Sequence, residues 1–190
     1  MPTDFEFRTV WRVAGTCAEV AEVLADAREL PRWWPAVCLG ARGIEFGPSG
    51  GVGALCDLHT KGWLPYTLRW TLTQTERPSA TGFAISAEGD LQGTGRWRFV
   101  QDGPEVEISH TWEVNLAKRG LHRLAPLLKP IFAANHRWAM RTGEQSLRLE
   151  LRRRRAGSDA ERRRIPAPPR PTFRRRPARD DPWPASDIEL

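Results

Sequence analysis

The sequence predicts an α+β fold: a curved antiparallel sheet of about seven strands wrapped on a long C-terminal helix, with two short helices after the first strand. Three observations lead there. Apolar and polar residues alternate through the first half of the chain, turns rich in glycine and proline separate the alternating runs, and spacings of three and four take over after residue 120.

The first strand is "DFEFRTVWRV", where Phe5, Phe7, Thr9, Trp11 and Val13 share one face and Glu6, Arg8 and Arg12 the other. Thr16, with Glu19 three residues on, is a capping box for a helix. Val20, Val23, Leu24 and Ala27 follow at helical spacing, so that helix runs to about Ala27. In "ELPRWWPAV", Trp33 and Trp34 lie three and four residues after Leu30 and predict a second, very short helix stopped by Pro35. With Leu30 they make one broad apolar face, and one indole is expected to plug the core.

Strands then follow in hairpin succession. "GPSGGVG" (47–53) is a turn before "ALCDLHTK", and "YTLRWTLT" sets Tyr66, Leu68, Trp70 and Leu72 against Thr67, Arg69, Thr71 and Thr73. The turns "ERPS", "EGDLQGTG" and "QDGP" separate "TGFAISAE", "GRWRFV" and "EVEISHTWEVNL". In the last of these, Val106, Ile108, His110, Trp112 and Val114 share a face. The glycines of "GTGRW" relieve crowding where the sheet bends, and Arg96 and Arg98, flanking Trp97, point outward.

A helix closes the pattern. Leu121, Leu124, Leu128, Ile131, Asn135, Trp138, Thr142, Gln145 and Leu149 form its stripe. Pro126 and Pro130 predict a short lead helix and a main helix beginning near Pro130, ending in "LRLELRRRR".

The net charge of +6 belongs to the end of the chain. Residues 152–190 hold 12 arginines against 6 acidic residues, whereas residues 1–151 hold 17 of each sign. A neutral domain over residues 1–154 and a disordered Arg/Pro-rich tail over residues 155–190 are expected, with no specific nucleic-acid partner. Weak contact with an anionic membrane, or non-specific attraction of nucleic acid, through Arg162–Arg164 and Arg174–Arg176 is the functional reading of the tail. Asp180, Asp181 and the scarcity of aromatics beyond Phe173 and Trp183 favour a merely solvated extension. Cys17, Cys38 and Cys56 show no metal spacing and read as reduced structural thiols. The N-terminal residues show no apolar signal segment, and no run is long enough to span a membrane, so a cytoplasmic location is expected.

The order of elements resembles the helix-grip fold of the Bet v 1-like superfamily, also called START or SRPBCC, and within it the bacterial polyketide cyclase/dehydrase and lipid-transport group. "EVLADARELPRWWPAV", "GDLQGTGRWRF" and "PIFAANHRWAMRTGEQSLRLEL" are the stretches that carry the resemblance, which covers roughly residues 4–152. It implies ligand carriers, cyclases and hydrolases on one scaffold. One helix is also too narrow to fill the concave face of a seven-stranded sheet, so a cavity for a bulky apolar ligand is expected between them.

The candidate lining is Trp34, Tyr66, Leu68, Trp70, Trp97, His110, Trp112, Ile131, Asn135 and Trp138. Among these, His110, Tyr66 and Asn135 are polar groups on apolar faces and the catalytic candidates, each with a plain structural alternative. His136, near Phe132 and Met140, reads as a helix–sheet contact. His59 and Asp57 are expected to face solvent, and His122 to be exposed. The histidines show no metal-ligand spacing, and no nucleotide loop or catalytic triad order is present, so neither metal nor cofactor is expected.

Two functions stay open at this level. The first is a binding module that holds a hydrophobic lipid or polyketide-like molecule without turnover. The second is a polyketide cyclase/dehydratase in which His110 and Tyr66 serve as base and acid and Asn135 as an oxyanion donor.

Overall fold

Each alternating run becomes a strand, and the strands close on one another in a single sheet. In the computed structural model, which describes residues 5–45, 51–116 and 125–172, β1 (Phe5–Ala14) leads to α1 (Cys17–Ala25), a 3₁₀ turn (Ala27–Glu29) and α2 (Leu30–Trp33). Six strands follow: β2 (Cys38–Glu45), β3 (Leu55–Lys61), β4 (Thr67–Gln74), β5 (Gly82–Gly89), β6 (Leu91–Asp102) and β7 (Glu105–Leu116). The helix α3 (Ala125–Arg155) and a short α4 (Asp159–Arg164) complete the described elements.

All neighbours are antiparallel, in the order β1-β7-β6-β5-β4-β3-β2. The N-terminal strand therefore pairs with the last one, and the two edges are β1 and β2. The α+β helix-grip architecture read from the sequence is the one the chain adopts.

The capping box forms as the sequence predicts: Thr16 Oγ1 accepts from the Glu19 amide at 3.3 Å and Glu19 Oε2 accepts from the Thr16 amide at 2.8 Å. Glu19 also receives Arg155 of α3 at 2.6 and 2.9 Å, and those bonds hold its carboxyl down at about 2. The end of α3 is thereby tied to the start of α1.

Side chains of α3 also cover the open edge of the sheet. The Arg12 amide donates to Glu144 Oε1 at 3.2 Å, the Arg12 carbonyl accepts from Arg148 at 2.8 Å, and the Ala14 carbonyl accepts from Arg155 at 3.1 Å. Unpaired edge groups are costly when covered and adhesive when bare, so this satisfies the first and prevents the second.

The core lies where α3 meets the sheet most closely. Trp11 and Trp34 pack edge to face with ring centres 5.9 Å apart, and Trp33 stacks on Trp34 at 5.7 Å. A Cβ placed on Gly143 would fall 2.5 Å from Trp34 Cζ2 and 2.9 Å from Trp11 Cη2, so only glycine allows this approach. Trp33 is fully buried and is the plug expected of one ring of the pair. On α3, Glu150 is only 2 % exposed yet charged. Burial pushes its carboxyl up, but bonds from Arg32 (2.7 and 3.0 Å) and Arg154 (3.0 Å) outweigh that and hold it below the ordinary range. That pairing clamps α2 onto α3.

Three sequence expectations change. Pro130 does not begin the main helix: α3 is continuous from Ala125 with Pro130 inside it. Proline there forfeits one backbone bond, to the carbonyl of Pro126, and Pro130 is exposed where water can hydrate that group. Asp57 and His59 are half-buried rather than solvent-facing, with Asp57 paired to Arg42 at 3.2 Å and accepting from Thr71 Oγ1 at 2.7 Å. Residues 156–172, read as the start of the tail, include α4, whose Ser158 cap accepts from the Glu161 amide at 3.2 Å. "SDAE" is the sequence signal for that helix, and composition alone hides it. Leu121, His122, Leu124, Phe173, Arg174–Arg176, Asp180, Asp181, Trp183 and most of the "GPSGGVG" turn lie outside the described residues.

Replacing an exposed helical glycine with alanine normally stabilises a protein by about 1 kcal/mol. Gly143→Ala is expected to do the reverse, lowering the urea midpoint, and Gly143→Leu to cost about 1–3 kcal/mol through overpacking. A rise in midpoint for Gly143→Ala would refute the close approach.

Candidate functional site

Between the concave face and the N-terminal half of α3 the side chains do not fill the space. They leave a cavity of about 230 Å³, larger than the ~150 Å³ apolar void that accepts benzene. Burial marks its position: the inward residues of β7 and β6 are buried, whereas Leu68 and Trp70 on β4 face inward and stay half-exposed because they border space.

An aromatic stack forms the back wall. His110 lies against Trp97 with ring centres 3.9 Å apart and 22° between planes, and against Trp112 at 5.8 Å. Register dictates this, since Trp97 is opposite His110 and Gly95 is opposite Trp112 across β6 and β7. A Cβ on Gly95 would sit 2.5 Å from the Trp112 ring, so the crowding inferred for "GTGRW" is an indole lying over a glycine. Trp70 reaches Trp112 at 5.8 Å and donates through Nε1 to Thr60 Oγ1 at 3.0 Å.

Tyr66 and Trp34 close opposite parts of the lining. Tyr66 packs edge to face on Phe132 at 6.5 Å, and burial pushes its hydroxyl up to about 12, so it stays protonated at neutral pH. Trp34 presents its ring to the cavity and donates to Thr142 Oγ1 at 3.2 Å.

Asn135 lines the cavity too, but its carbonyl oxygen is engaged. Oδ1 accepts from the amides of Trp63 at 2.9 Å and Leu64 at 3.4 Å, capping the β3–β4 turn. A Cβ on Gly62 would come within 2.0 Å of that oxygen. The plain alternative for Asn135, a helix amide bonded to strand backbone, is what the geometry contains.

His136 makes the helix–sheet contact read from the sequence and lines the cavity as well. Its ring stacks on Phe7 at 4.1 Å, its Nε2 is 3.5 Å from Thr9 Oγ1, and it lines the cavity. Ile131 and Trp138 do not line it: Ile131 is 41 % exposed and Trp138 packs against the core elsewhere. The inward stripe of α3 is Phe132, Asn135, His136, Ala139, Met140 and Gly143, rotated by about one residue from the expected one.

Both cavity histidines are neutral. Burial lowers His110 to about 3 and His136 to about 4, with His136 adding to the depression of His110 and Arg137 to that of His136. The Nδ1 of His110 is buried and finds no hydrogen-bond partner among the described residues. Cys38 and Cys56 are buried thiols, pushed up to about 12 and about 11 by burial first and by neighbouring charge second, and so lack thiolate character. Among the described residues no group of three His, Cys, Asp or Glu is placed to hold a metal ion.

Residues 4–152 match the family described as polyketide cyclase / dehydrase and lipid transport. No curated protein matches the chain by sequence. Among solved structures, the Zhui aromatase/cyclase from Streptomyces sp. R1128 is similar at a TM-score of 0.62 and 16% identity, over 82% of this chain and 98% of that one. The protein TTHA0849 from Thermus thermophilus follows at 0.59 and 15%, over 75% and 97%. Ms6760 from Mycobacterium smegmatis gives 0.56 and 12%, over 77% and 90%. At these identities the structural likeness speaks to the fold.

The histidines make stability depend on pH in one direction. Unfolded histidine takes a proton near pH 6.5, while folded His110 and His136 wait until about 3 and about 4. Their contribution is therefore complete above pH 6.5 and falls as pH drops below it, by up to about 1.4 kcal/mol per pH unit for each. Urea unfolding at pH 7.5 and pH 5 should show the loss, and a His110→Gln/His136→Gln double variant should lose markedly less over the same interval. An equal loss in the two proteins would overturn the buried neutral assignment.

Proposed function

The chain belongs to the polyketide cyclase / dehydrase and lipid transport family, and from that premise we propose that it binds a hydrophobic small molecule, lipid or polyketide-like, without turning it over. Residues 1–154 are the ligand-binding domain in this reading, and the ligand occupies the space between sheet and α3. One observation carries the proposal: the wall is aromatic and aliphatic, and the polar groups within it are neutral or engaged with protein. Trp34, Tyr66, Leu68, Trp70, Trp97 and Trp112 supply the apolar contact, with His110 and Asn135 as the polar edge.

The acid–base properties favour binding over reaction. Forming an enolate from a β-ketone needs a base, and protonating the carbonyl oxygen needs an acid, each best with a pKa near the working pH. His110 at about 3 is a feeble base and Tyr66 at about 12 a feeble acid. Asn135 has its oxygen committed to the β3–β4 turn.

The cyclase/dehydratase reading has one specific support, the free Nδ1 of His110 in the cavity wall. A polyketide hydroxyl or enol bound there would give that nitrogen its missing partner. Among the described residues no helix is long and apolar enough to cross a membrane, and we place the protein in the cytoplasm.

Native mass spectrometry of freshly purified protein is expected to show a retained apolar molecule at one per chain, released by organic extraction. His110→Ala and Tyr66→Phe should weaken its binding, by a few-fold to tenfold, with no product formed from poly-β-ketone thioesters by the wild type. Product formation that both substitutions abolish while affinity holds would replace the binding reading with the enzymatic one.

A further inference from the structure

The solvent side of α3 carries a row of arginines. Arg137, Arg141, Arg148 and Arg152 are all exposed, at intervals of four, seven and four residues. At 3.6 residues per turn those intervals keep the four within about 60° of arc, and at 1.5 Å per residue the row is roughly 22 Å long. Phe132, Gly143 and Glu150, on the same helix, face the opposite way and are buried.

Counter-charge is scarce along this row. The helix holds two acids, Glu144 and Glu150. Glu150 is buried and shared by Arg32 and Arg154. Glu144 pairs with Arg148 at 2.7 Å and accepts from the Arg12 amide as well. Arg137, Arg141 and Arg152 make no hydrogen bond or ion pair with the described residues. The outer face of the sheet is different: Arg8 sits on Glu6, Arg12 on Asp102 and Glu107, and Arg96 on Glu76. Like charges four residues apart repel on a helix, so an anion supplied from outside would relieve the row.

Shape and position indicate which anion. A straight, narrow row meets a flat surface along its whole length, and a guanidinium group bonds phosphate through two parallel hydrogen bonds. On the inner side of the same turns Asn135, His136, Ala139 and Met140 line the cavity, so one helix thickness separates these arginines from the ligand space. A bilayer holds hydrophobic molecules in quantity and a nucleic acid does not, and this choice between two polyanions rests on the cavity-binding reading above. We propose that α3 docks by this face on an anionic bilayer, with its axis along the surface and the guanidinium groups of Arg137, Arg141, Arg148 and Arg152 on lipid phosphates. The row belongs to the domain and is separate from the arginines of the C-terminal tail.

Co-sedimentation of the full-length chain with vesicles tests it. Binding is expected to vesicles of phosphatidylglycerol and phosphatidylcholine in equal parts, weakening as salt is raised, and not to phosphatidylcholine alone. Arg137→Gln/Arg141→Gln/Arg152→Gln should lower the affinity roughly tenfold or more. Its urea midpoint should match that of the wild type, since these side chains bond nothing among the described residues. Arg174→Gln/Arg175→Gln/Arg176→Gln should keep most of the affinity. Equal binding by the helix variant and the wild type, or loss of binding in the tail variant alone, would overturn the docking face. Tighter binding to a DNA duplex than to the anionic vesicles in the same buffer would overturn the choice of a bilayer. Failure to bind anionic vesicles would remove the proposal and leave the cavity reading standing, because the assay contains no cavity ligand.

Discussion

The structure depends on one close approach. At Gly143 the long helix comes down until its backbone touches the rings of Trp11 and Trp34, and the missing side chain is what lets it. Below that point Ser146, Leu147, Glu150 and Leu151 are all but sealed from water. Above it the cavity begins, and Phe132, Asn135 and His136 reach across its margins to Phe5, the Trp63 amide and Phe7. The helix acts as a lever resting on the tryptophans, and where it rests decides both where the core lies and where the space lies. Its far end is secured by Arg148 and Arg155, which bond the bare edge of β1.

The chemistry of the cavity follows from this division. Every polar group inside must either find a protein partner or remain neutral, because a charge there would have neither water nor a counter-ion. Asn135 bonds the β3–β4 turn, Gln74 donates to the Glu76 carbonyl at 2.8 Å, and Thr60 accepts from Trp70. His110 is held between two indoles and His136 against Phe7, environments that favour the uncharged ring.

Alternation along the strands was legible because each strand has one face to solvent and one to core or cavity. The inward sets of Leu68, Trp70 and Leu72 on β4 and of the residues around His110 on β7 are the ones read from the sequence. The helix was harder. Its inward stripe contains an amide, an imidazole, a glycine, a serine and a carboxylate, at 135, 136, 143, 146 and 150, since a cavity wall and a close approach call for such groups. A search for apolar periodicity discounts these types and settles on Ile131 and Trp138, one step around the helix. Nor could spacing show that Glu150 is buried, because its partner Arg32 is more than a hundred residues away along the chain. The Ser158–Glu161 cap was visible in principle, but an arginine- and proline-rich composition masks a helix of six residues.

The pairing of β1 with β7 sets the order in which the protein can be assembled. Phe5 through Ala14 find their partners in Glu105 through Val114, about a hundred residues later in the chain. During synthesis the first strand emerges from the ribosome long before anything can pair with it, carrying Phe5, Phe7 and Trp11 exposed. The meander from β2 to β7 can close by local hairpins, but β1 must wait for its final member, and α3 must then arrive to cover the edge. Such long-range closure is slow compared with local contacts. Until it happens, β1 is an unpaired aromatic strand open to pairing with other chains.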